Sequence, residues 1–209
     1  MLETNLRAIF EKGLITPIAR FTYCHVDPNA ITFCALVTGV VAAIFLSLDM
    51  ALAAVSFLFL SGYLDVLDGA VARLRNQSTQ LGTLLDILSD RIVESAVVIA
   101  FFIREPTLAL ITLCMLATIL LCVTSFLLVG LFSQQKGEKS FYYSSGLIER
   151  AEAFIFFTLM ILLPDLALYL GSLFVLLVLW TTFYRVHTFS RQIKQQDTID
   201  LIHRGNLAE

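Results

Sequence analysis

Residues 58–100 read LFLSGYLDVLDGAVARLRNQSTQLGTLLDILSDRIVESAVVIA, two apolar segments joined by a short polar stretch at 76–80. Each segment carries a pair of acids, spaced i, i+3 in the first and i, i+4 in the second, so each pair shares one face of a helix. A connection this short makes the two helices antiparallel neighbours. The sequence therefore predicts that four carboxylates converge near one end of the helix pair: Asp65, Asp68, Asp86 and Asp90.

Acidic residues in apolar helices are energetically unfavourable and therefore call for an explanation. A carboxylate in a membrane helix costs about 2.5–3.5 kcal/mol on insertion scales and marks a functional site by default. A single aspartate is also compatible with an interhelical hydrogen bond, but four converging ones repel unless something neutralises them. A hard, oxygen-only ligand set favours Mg²⁺ or Mn²⁺ over zinc. Since Mg²⁺ is commonly held by a few carboxylates plus substrate phosphates, we expect a phosphate-bearing substrate.

Small and polar residues accompany the acids. Gly69 and Ala72 lie on the aspartate face of their helix, and Gly82 lies at the beginning of the next. Arg73 and Thr79 are placed to reach a phosphate from the same end. The small residues alone are equally typical of ordinary helix packing in membranes, so their interpretation depends on the aspartates.

The composition of the whole chain places this pair in a membrane. Of 209 residues, 58% are hydrophobic and 15% charged, and the mean hydropathy is +0.83, whereas soluble domains are about 25% charged. The net charge of −3 gives no indication of nucleic-acid binding. The fold class predicted is an all-α bundle of six membrane-spanning helices in one domain, 1–209. An amphipathic interfacial helix is expected at 2–20, a polar, frayed tail at 191–209, and spans at about 31–48, 51–74, 81–103, 107–132, 147–163 and 166–189.

The distribution of Lys and Arg predicts the orientation. With six spans, 13 of the 14 cations lie on or towards the side of the two termini, and only Arg104 lies on the other. The positive-inside rule then makes the terminal side cytoplasmic. The acidic end of the helix pair is expected on that side of the cytoplasmic membrane as well.

Written out, the acidic segment is Asp65-x2-Asp68-Gly69-x2-Ala72-Arg73-x8-Gly82-x3-Asp86-x3-Asp90. It resembles the signature of the CDP-alcohol phosphotransferases at all eight fixed positions over 26 residues. The stretch Pro28-Asn29-x-Ile31-Thr32, just before the first span, is also similar to one in many members.

The resemblance implies an activity and roles for residues. Members transfer a substituted phosphate from a CDP-alcohol, often CDP-diacylglycerol or an ether-lipid analogue, to the hydroxyl of a second alcohol, and CMP leaves. By this resemblance the four aspartates hold two Mg²⁺ or Mn²⁺ ions, Asp90 is the general base, and the protein is a homodimer. The residues expected to bind the CDP group are Asp65, Gly69, Ala72, Arg73, Thr79 and Gly82.

The acceptor alcohol is less well determined by the sequence. Residues 149–152, Glu-Arg-Ala-Glu, resemble an element of branches that use phosphorylated polyols, which favours inositol phosphate or glycerol 3-phosphate. An Arg/Ala-rich run found late in span four of many members is absent, because 123–133 reads VTSFLLVGLFS. Cations also collect at cytoplasmic helix ends for reasons of topology alone. The predicted acceptor-binding residues are Lys136, Lys139, Arg150 and Arg191.

Two other interpretations deserve comparison. A divalent-cation transporter or channel would use the aspartates as a pathway, but such sites usually lie at the membrane midplane, on broken helices and in repeated halves. Here the acids lie near one end, on helices without Pro, and occur once. A non-catalytic family member would be expected to have lost one of the four aspartates, and none is lost.

Overall fold

The computed structural model describes residues 26–75, 79–135 and 150–206, together with Pro17 and Ala19. The regular structure in this part of the chain is entirely helical. Short 3₁₀ turns at Pro106–Leu108 and Pro164–Leu166 precede the fourth and sixth helices. The α-helices are α1 (Pro28–Ser47), α2 (Ala51–Leu74), α3 (Gln80–Arg104), α4 (Ala109–Gln135), α5 (Arg150–Leu162) and α6 (Ala167–Asn206).

Four described segments are long and apolar enough to cross a membrane: Pro28–Ser47, Ala51–Leu74, Pro106–Phe132 and Pro164–Ile193. The helix α3 has 25 residues, about 38 Å at 1.5 Å per residue, but it carries five charged side chains. The apolar stretch Ala151–Leu162 is shorter. The all-helical class is confirmed for the described residues. The count of six spans and the interfacial helix at 2–20 stay predictions, and that helix lies outside the described residues except for Pro17 and Ala19.

Polar caps and prolines set the helix boundaries. The carboxylate of Asp27 accepts a hydrogen bond from the Asn29 N–H at 3.0 Å, and Pro28 occupies the first turn, the arrangement that initiates a helix. This is why α1 begins at Pro28, three residues before the predicted span. Prolines also stop helices, and α3 and α5 each end just before one, Pro106 and Pro164.

The C-terminal tail differs from the expectation. The sequence predicts a tail that frays from Arg191, whereas α6 continues to Asn206. The sequence 191–206 contains no Pro and only one Gly, Gly205. Six of its sixteen residues are Arg, Lys or Gln, whose long, unbranched side chains lose little freedom in a helix, so polarity alone does not indicate where the helix ends.

Close packing of α1 against α2 and α3 shapes the part of the molecule that carries the aspartates. A methyl group on Gly39 of α1 would lie 2.7 Å from Cγ1 of Val93 and 2.9 Å from Oγ of Ser61. Only glycine allows α1 to approach both neighbours so closely. A small buried cluster of Ala19, Ile31, Leu67 and Val71 lies beside the acidic end of these helices. The aspartates are thus carried by tightly packed helices.

The remaining helices complete the bundle. The helix α6 packs on α4 and α5, while α5 also contacts α2, and α3 contacts α4. At the end away from the aspartates, Asp49 in the α1–α2 turn forms a 2.8 Å ion pair with Arg104 at the end of α3. The Arg104 guanidinium also donates to the carbonyl of Ile161 at 3.4 Å. These contacts join three helices at the opposite end.

Candidate functional site

Three of the predicted aspartates lie together between α2 and α3. Asp65, Asp68 and Asp86 each place a carboxylate oxygen within 4.8 Å of the others. Asp68 is six residues before the end of α2, and Asp86 is six residues after the beginning of α3, so each lies about 9 Å along its helix from the same end. The helix periodicity and the short connection therefore bring the carboxylates to one level.

The helix α1 contributes a third wall. The hydroxyl of buried Thr32 donates a hydrogen bond to Oδ2 of Asp68 and lies 3.1 Å from the carbonyl of Pro28. Asp68 itself is only 6% exposed. A hydroxyl donor fixes the rotamer of the carboxylate, in the way that partners beyond the direct ligands orient metal-binding side chains.

A cavity of about 200 Å³ opens beside the carboxylates. It is bounded by the beginning of α1, the last turns of α2 and the first turns of α3. Most of the residues predicted to bind the CDP group line it, next to two of the aspartates. The lining residues are Pro28, Asn29, Thr32, Asp68, Gly69, Ala72, Arg73, Thr79, Gly82, Thr83 and Asp86.

The two glycines of the cavity, Gly69 and Gly82, place no side chain in it. A methyl group on Gly82 would lie 3.1 Å from Oγ1 of Thr79 and 3.4 Å from Oδ1 of Asn29. A methyl group on Gly69 would lie 3.4 Å from Nη1 of Arg73, so the guanidinium lies beside this bare stretch of backbone. Larger side chains at either position would occupy space that the cavity now offers to a ligand.

Thr79 has a defined structural role at this site. Its hydroxyl oxygen accepts a hydrogen bond from the Gly82 N–H at 3.0 Å and caps the N-terminus of α3. The cap does not use the hydroxyl hydrogen, so the Thr79 hydroxyl can still donate a hydrogen bond to a ligand oxygen. The N-terminus of a helix also favours anions, and Thr79, Gly82 and Thr83 all belong to this first turn and to the cavity.

The donor set fits a divalent cation. Three carboxylates this close together repel one another unless a cation or a proton intervenes. Their oxygens are hard ligands of the kind that Mg²⁺ and Mn²⁺ prefer. The adjoining cavity, which contains an arginine and a helix N-terminus, suits the phosphate groups that usually complete such coordination.

Asp90 stands apart from the three. It lies one turn further along α3 than Asp86 and is not in the group whose oxygens lie within 4.8 Å of one another. Its side chain is 14% exposed, and its Oδ2 is 3.8 Å from Nη2 of Arg91. The guanidinium of Arg91 is bound to Glu94, at 2.7 and 2.8 Å. The predicted set of four is therefore a compact group of three with Asp90 beside it.

The predicted acceptor residues do not form a described site. Lys136 and Lys139 lie outside the described residues. Arg150 is the first residue of α5, and its side chain also lies outside the described part. Arg191 is exposed on α6. The grouping of these cations around an acceptor stays a prediction.

Sequence reasoning missed four lining residues of the cavity: Pro28, Asn29, Thr32 and Thr83. A signal was present for three of them. The Pro-Asn-x-Ile-Thr stretch at 28–32 is a visible sequence pattern, but its proximity to α2 and α3 is a property of the tertiary structure. Thr83 is one residue after Gly82, at the same helix N-terminus.

Comparison with known proteins agrees with the family resemblance of the sequence motif. The family model described as CDP-alcohol phosphatidyltransferase matches residues 25–185. The inner membrane protein YnjF of Escherichia coli K12 is 33% identical over 169 residues, which cover 77% of this chain and 82% of that protein.

Two solved structures of the phosphatidylinositol phosphate synthase of Mycobacterium tuberculosis are also similar. The one with CDP-DAG bound has a TM-score of 0.67 and 27% identity, and covers 84% of this chain and 93% of that chain. The one in complex with manganese and citrate has a TM-score of 0.66 and 26% identity, with 84% and 88% covered.

Proposed function

This chain belongs to the CDP-alcohol phosphatidyltransferase family, and we propose that it transfers a phosphatidyl group from CDP-diacylglycerol, or an ether-lipid analogue, to a phosphorylated polyol. The observation that carries the proposal is the cavity between α1, α2 and α3. There Asp68 and Asp86, which belong to the three-carboxylate group, share one space with the residues matching the family's nucleotide-binding positions.

In the proposed reaction the acceptor hydroxyl oxygen forms a bond to the phosphorus that carries the diacylglycerol. The bridging P–O bond to CMP breaks, CMP leaves, and the hydroxyl proton passes to Asp90. Arg73 and Thr79 hold the nucleotide phosphates. Gly69, Ala72 and Gly82 leave room for the cytidine, and Asn29 bounds the same space.

Asp65, Asp68, Asp86 and Asp90 would hold two divalent cations, Mg²⁺ or Mn²⁺. When bound, these cations supply positive charge to the pyrophosphate and its leaving group. The protein's own contribution is to keep the carboxylates in place: Thr32 orients Asp68, and the packed helices α1–α3 fix the distances between them. The manganese complex of the mycobacterial synthase supports this assignment.

Inositol phosphate is the acceptor that we favour. The support is the similarity to a phosphatidylinositol phosphate synthase over 84% of this chain, together with the Glu-Arg-Ala-Glu element at 149–152. Glycerol 3-phosphate is the second acceptor of the same class. Lys136, Lys139, Arg150 and Arg191 would gather around the acceptor phosphate.

The proposed setting is a six-span bundle with both termini and the site on the cytoplasmic side, and the active form is a homodimer. The family resemblance supports the dimer, and 13 of 14 cations on one side support the orientation. Single cysteines in a cysteine-free background, placed at the exposed positions Asp49 and Arg191, test the orientation in whole cells. A membrane-impermeant maleimide should label the first and not the second. Light scattering of the purified protein in detergent gives the oligomeric state.

The activity is tested on purified protein in detergent with CDP-diacylglycerol and Mg²⁺ or Mn²⁺. Inositol 1-phosphate, glycerol 3-phosphate, inositol, serine and choline are offered separately, and CMP release is measured. We expect release with a phosphorylated polyol, and loss of it in Asp86→Asn. No release with any acceptor would contradict the donor assignment, and Mn²⁺ flux into liposomes without CMP chemistry would favour a transporter.

A further inference from the structure

A buried ion pair lies beside the predicted catalytic base. Glu94 is 3% exposed, its Oε1 accepts a hydrogen bond from Nη2 of Arg91 at 2.8 Å, and its Oε2 lies 2.7 Å from Nη1 as an ion pair. A hydrogen bond between two charged groups is stronger than one between neutral groups. Glu94 lies two turns along α3 from Asp86 and one turn from Asp90, so the three acids share one face of the helix. Its position in the sequence lies outside the eight-residue motif.

The same guanidinium faces two carboxylates at unequal distances. Its nearest approach to Asp90 is 3.8 Å, from Nη2 to Oδ2, whereas hydrogen bonds between N–H and O lie at about 2.7–3.2 Å. Glu94 and Asp90 thus compete for one cation, and in this arrangement Glu94 holds it.

We propose that Glu94 is a positioning residue for the reaction, which keeps Arg91 from closing on Asp90. Bound to Glu94, the guanidinium stays beside Asp90 without occupying the oxygen that the acceptor proton or a cation requires. Without the negative charge of Glu94, Asp90 is the nearest anion to Arg91 among the described residues, and a shift of about 1 Å would complete that hydrogen bond. The proposal rests on the role of Asp90 in the proposed function.

The proposal predicts an asymmetry between the two partners of the pair. Glu94→Gln keeps the size of the side chain but removes its negative charge, so Arg91 turns to Asp90 and masks it. Arg91→Gln removes the cation that would close on Asp90, so Asp90 is not masked by Arg91 even though the ion pair is lost. A pair that served packing alone would instead be damaged equally from either side.

The experiment uses the full-length protein in detergent and four variants: Glu94→Gln, Arg91→Gln, the double variant and Asp49→Asn. The last is a matched control, because it removes an ion pair at the opposite end of the bundle. The measurements are the Mn²⁺ dissociation constant by calorimetry, kcat for CMP release at saturating substrates, and the thermal unfolding midpoint.

In Glu94→Gln we expect kcat to fall and Mn²⁺ binding to weaken, each about 10-fold or more, the range seen when a partner of a metal ligand is removed. In Arg91→Gln and in the double variant we expect both values to stay within about threefold of wild type, so that the second substitution rescues the first. A structure of Glu94→Gln should show Arg91 within about 3.2 Å of Asp90.

The proposal would be overturned if Arg91→Gln were as impaired as Glu94→Gln, or if the double variant were no better than Glu94→Gln. Wild-type values for Glu94→Gln would overturn it as well. The Mn²⁺ dissociation constants of the wild type and the variants test the role of Glu94 even if the wild-type protein releases no CMP. In that case only the proposed function fails. The unfolding midpoints show whether a loss of kcat follows a loss of stability.

Discussion

Thr32, in the second turn of α1, donates its hydroxyl hydrogen bond to Oδ2 of Asp68, which lies 36 residues later in α2. Both side chains are buried. The bond joins the helix that bounds one side of the cavity to a carboxylate of the predicted metal site. The orientation of Asp68 therefore depends on how α1 packs, and not on α2 alone.

Thr32→Val should weaken metal binding without unfolding the protein. Valine keeps the branched shape of threonine but removes the donor, so Asp68 loses the contact that orients it. We expect Mn²⁺ affinity measured by calorimetry to fall about 10- to 100-fold. Thr32→Ser keeps the hydroxyl and is the matched control. Wild-type Mn²⁺ affinity in Thr32→Val would show that the hydrogen bond does not orient the ligand.

Gly82→Ala should weaken the binding of the nucleotide. The added methyl lies 3.1 Å from Thr79 Oγ1 and 3.4 Å from Asn29 Oδ1, so it narrows the cavity and presses on the α3 cap. We expect the KM for CDP-diacylglycerol to rise about 10-fold, the effect of about 1.4 kcal/mol, with a smaller change in kcat.

Gly171→Ala controls for crowding in general. A methyl group there would lie 3.1 Å from the side chain of Ile111, away from the cavity. This variant should lower the unfolding midpoint without a comparable rise in KM. Equal KM values for the two variants would contradict the assignment of Gly82 to the nucleotide site.

The grouping of Asp65, Asp68 and Asp86 was predictable because it depends on local rules. Helical periodicity sets which residues share a face, and a short connection makes α2 and α3 neighbours. The placement of Gly69, Arg73, Thr79 and Gly82 around the same space followed from the same two rules. These residues all lie within one helix pair, so no long-range contact was needed to place them.

The contribution of α1 to the site could not be predicted from helical periodicity and a short connection. Thr32 and Asn29 reach the site because α1 packs closely on α2 and α3, and that packing depends on Gly39, whose tight contacts no periodicity reveals. That Asp90 lies outside the group of three within 4.8 Å is likewise not visible in the spacing. Spacing places Asp90 on the correct face, but the side-chain pairing of Arg91 with Glu94 is a property of the folded structure.

Arg185 offers a test of buried charge between α4 and α6. It is 9% exposed and donates through Nη1 to the carbonyl of Cys122 at 2.9 Å and to Oγ of Ser125 at 3.1 Å. Its Nε is buried and has no hydrogen-bond partner among the described residues. Removing a buried charge altogether is often neutral or stabilising, whereas removing a partner and leaving the charge is costly.

We therefore expect Arg185→Met to leave the unfolding midpoint unchanged or raised, and Ser125→Ala to lower it. The loss of one acceptor, about 1–3 kcal/mol, corresponds to a decrease of roughly 2–12 °C for a chain of this size. Ser125→Ala should have little effect in the Arg185→Met background. Thermal unfolding in detergent gives all four values, and a lower midpoint in Arg185→Met would contradict the prediction.

Removal of divalent cations should destabilise the wild-type protein and leave the stability of Asp68→Asn almost unchanged. With EDTA, three carboxylate groups within 4.8 Å repel one another in the wild type, and the substitution removes one of the charges while keeping an oxygen that can accept from Thr32. We expect the unfolding midpoint of Asp68→Asn in EDTA to equal or exceed that of the wild type.

At a Mn²⁺ concentration of about 100 times its dissociation constant, the wild type should gain about 2.7 kcal/mol, or roughly 5–10 °C. Asp68→Asn should gain almost nothing, and Asp49→Asn, altered at the opposite end, should gain as much as the wild type. If Asp68→Asn kept the full Mn²⁺ shift, or had a lower midpoint than the wild type in EDTA, the three carboxylates would not form the metal site.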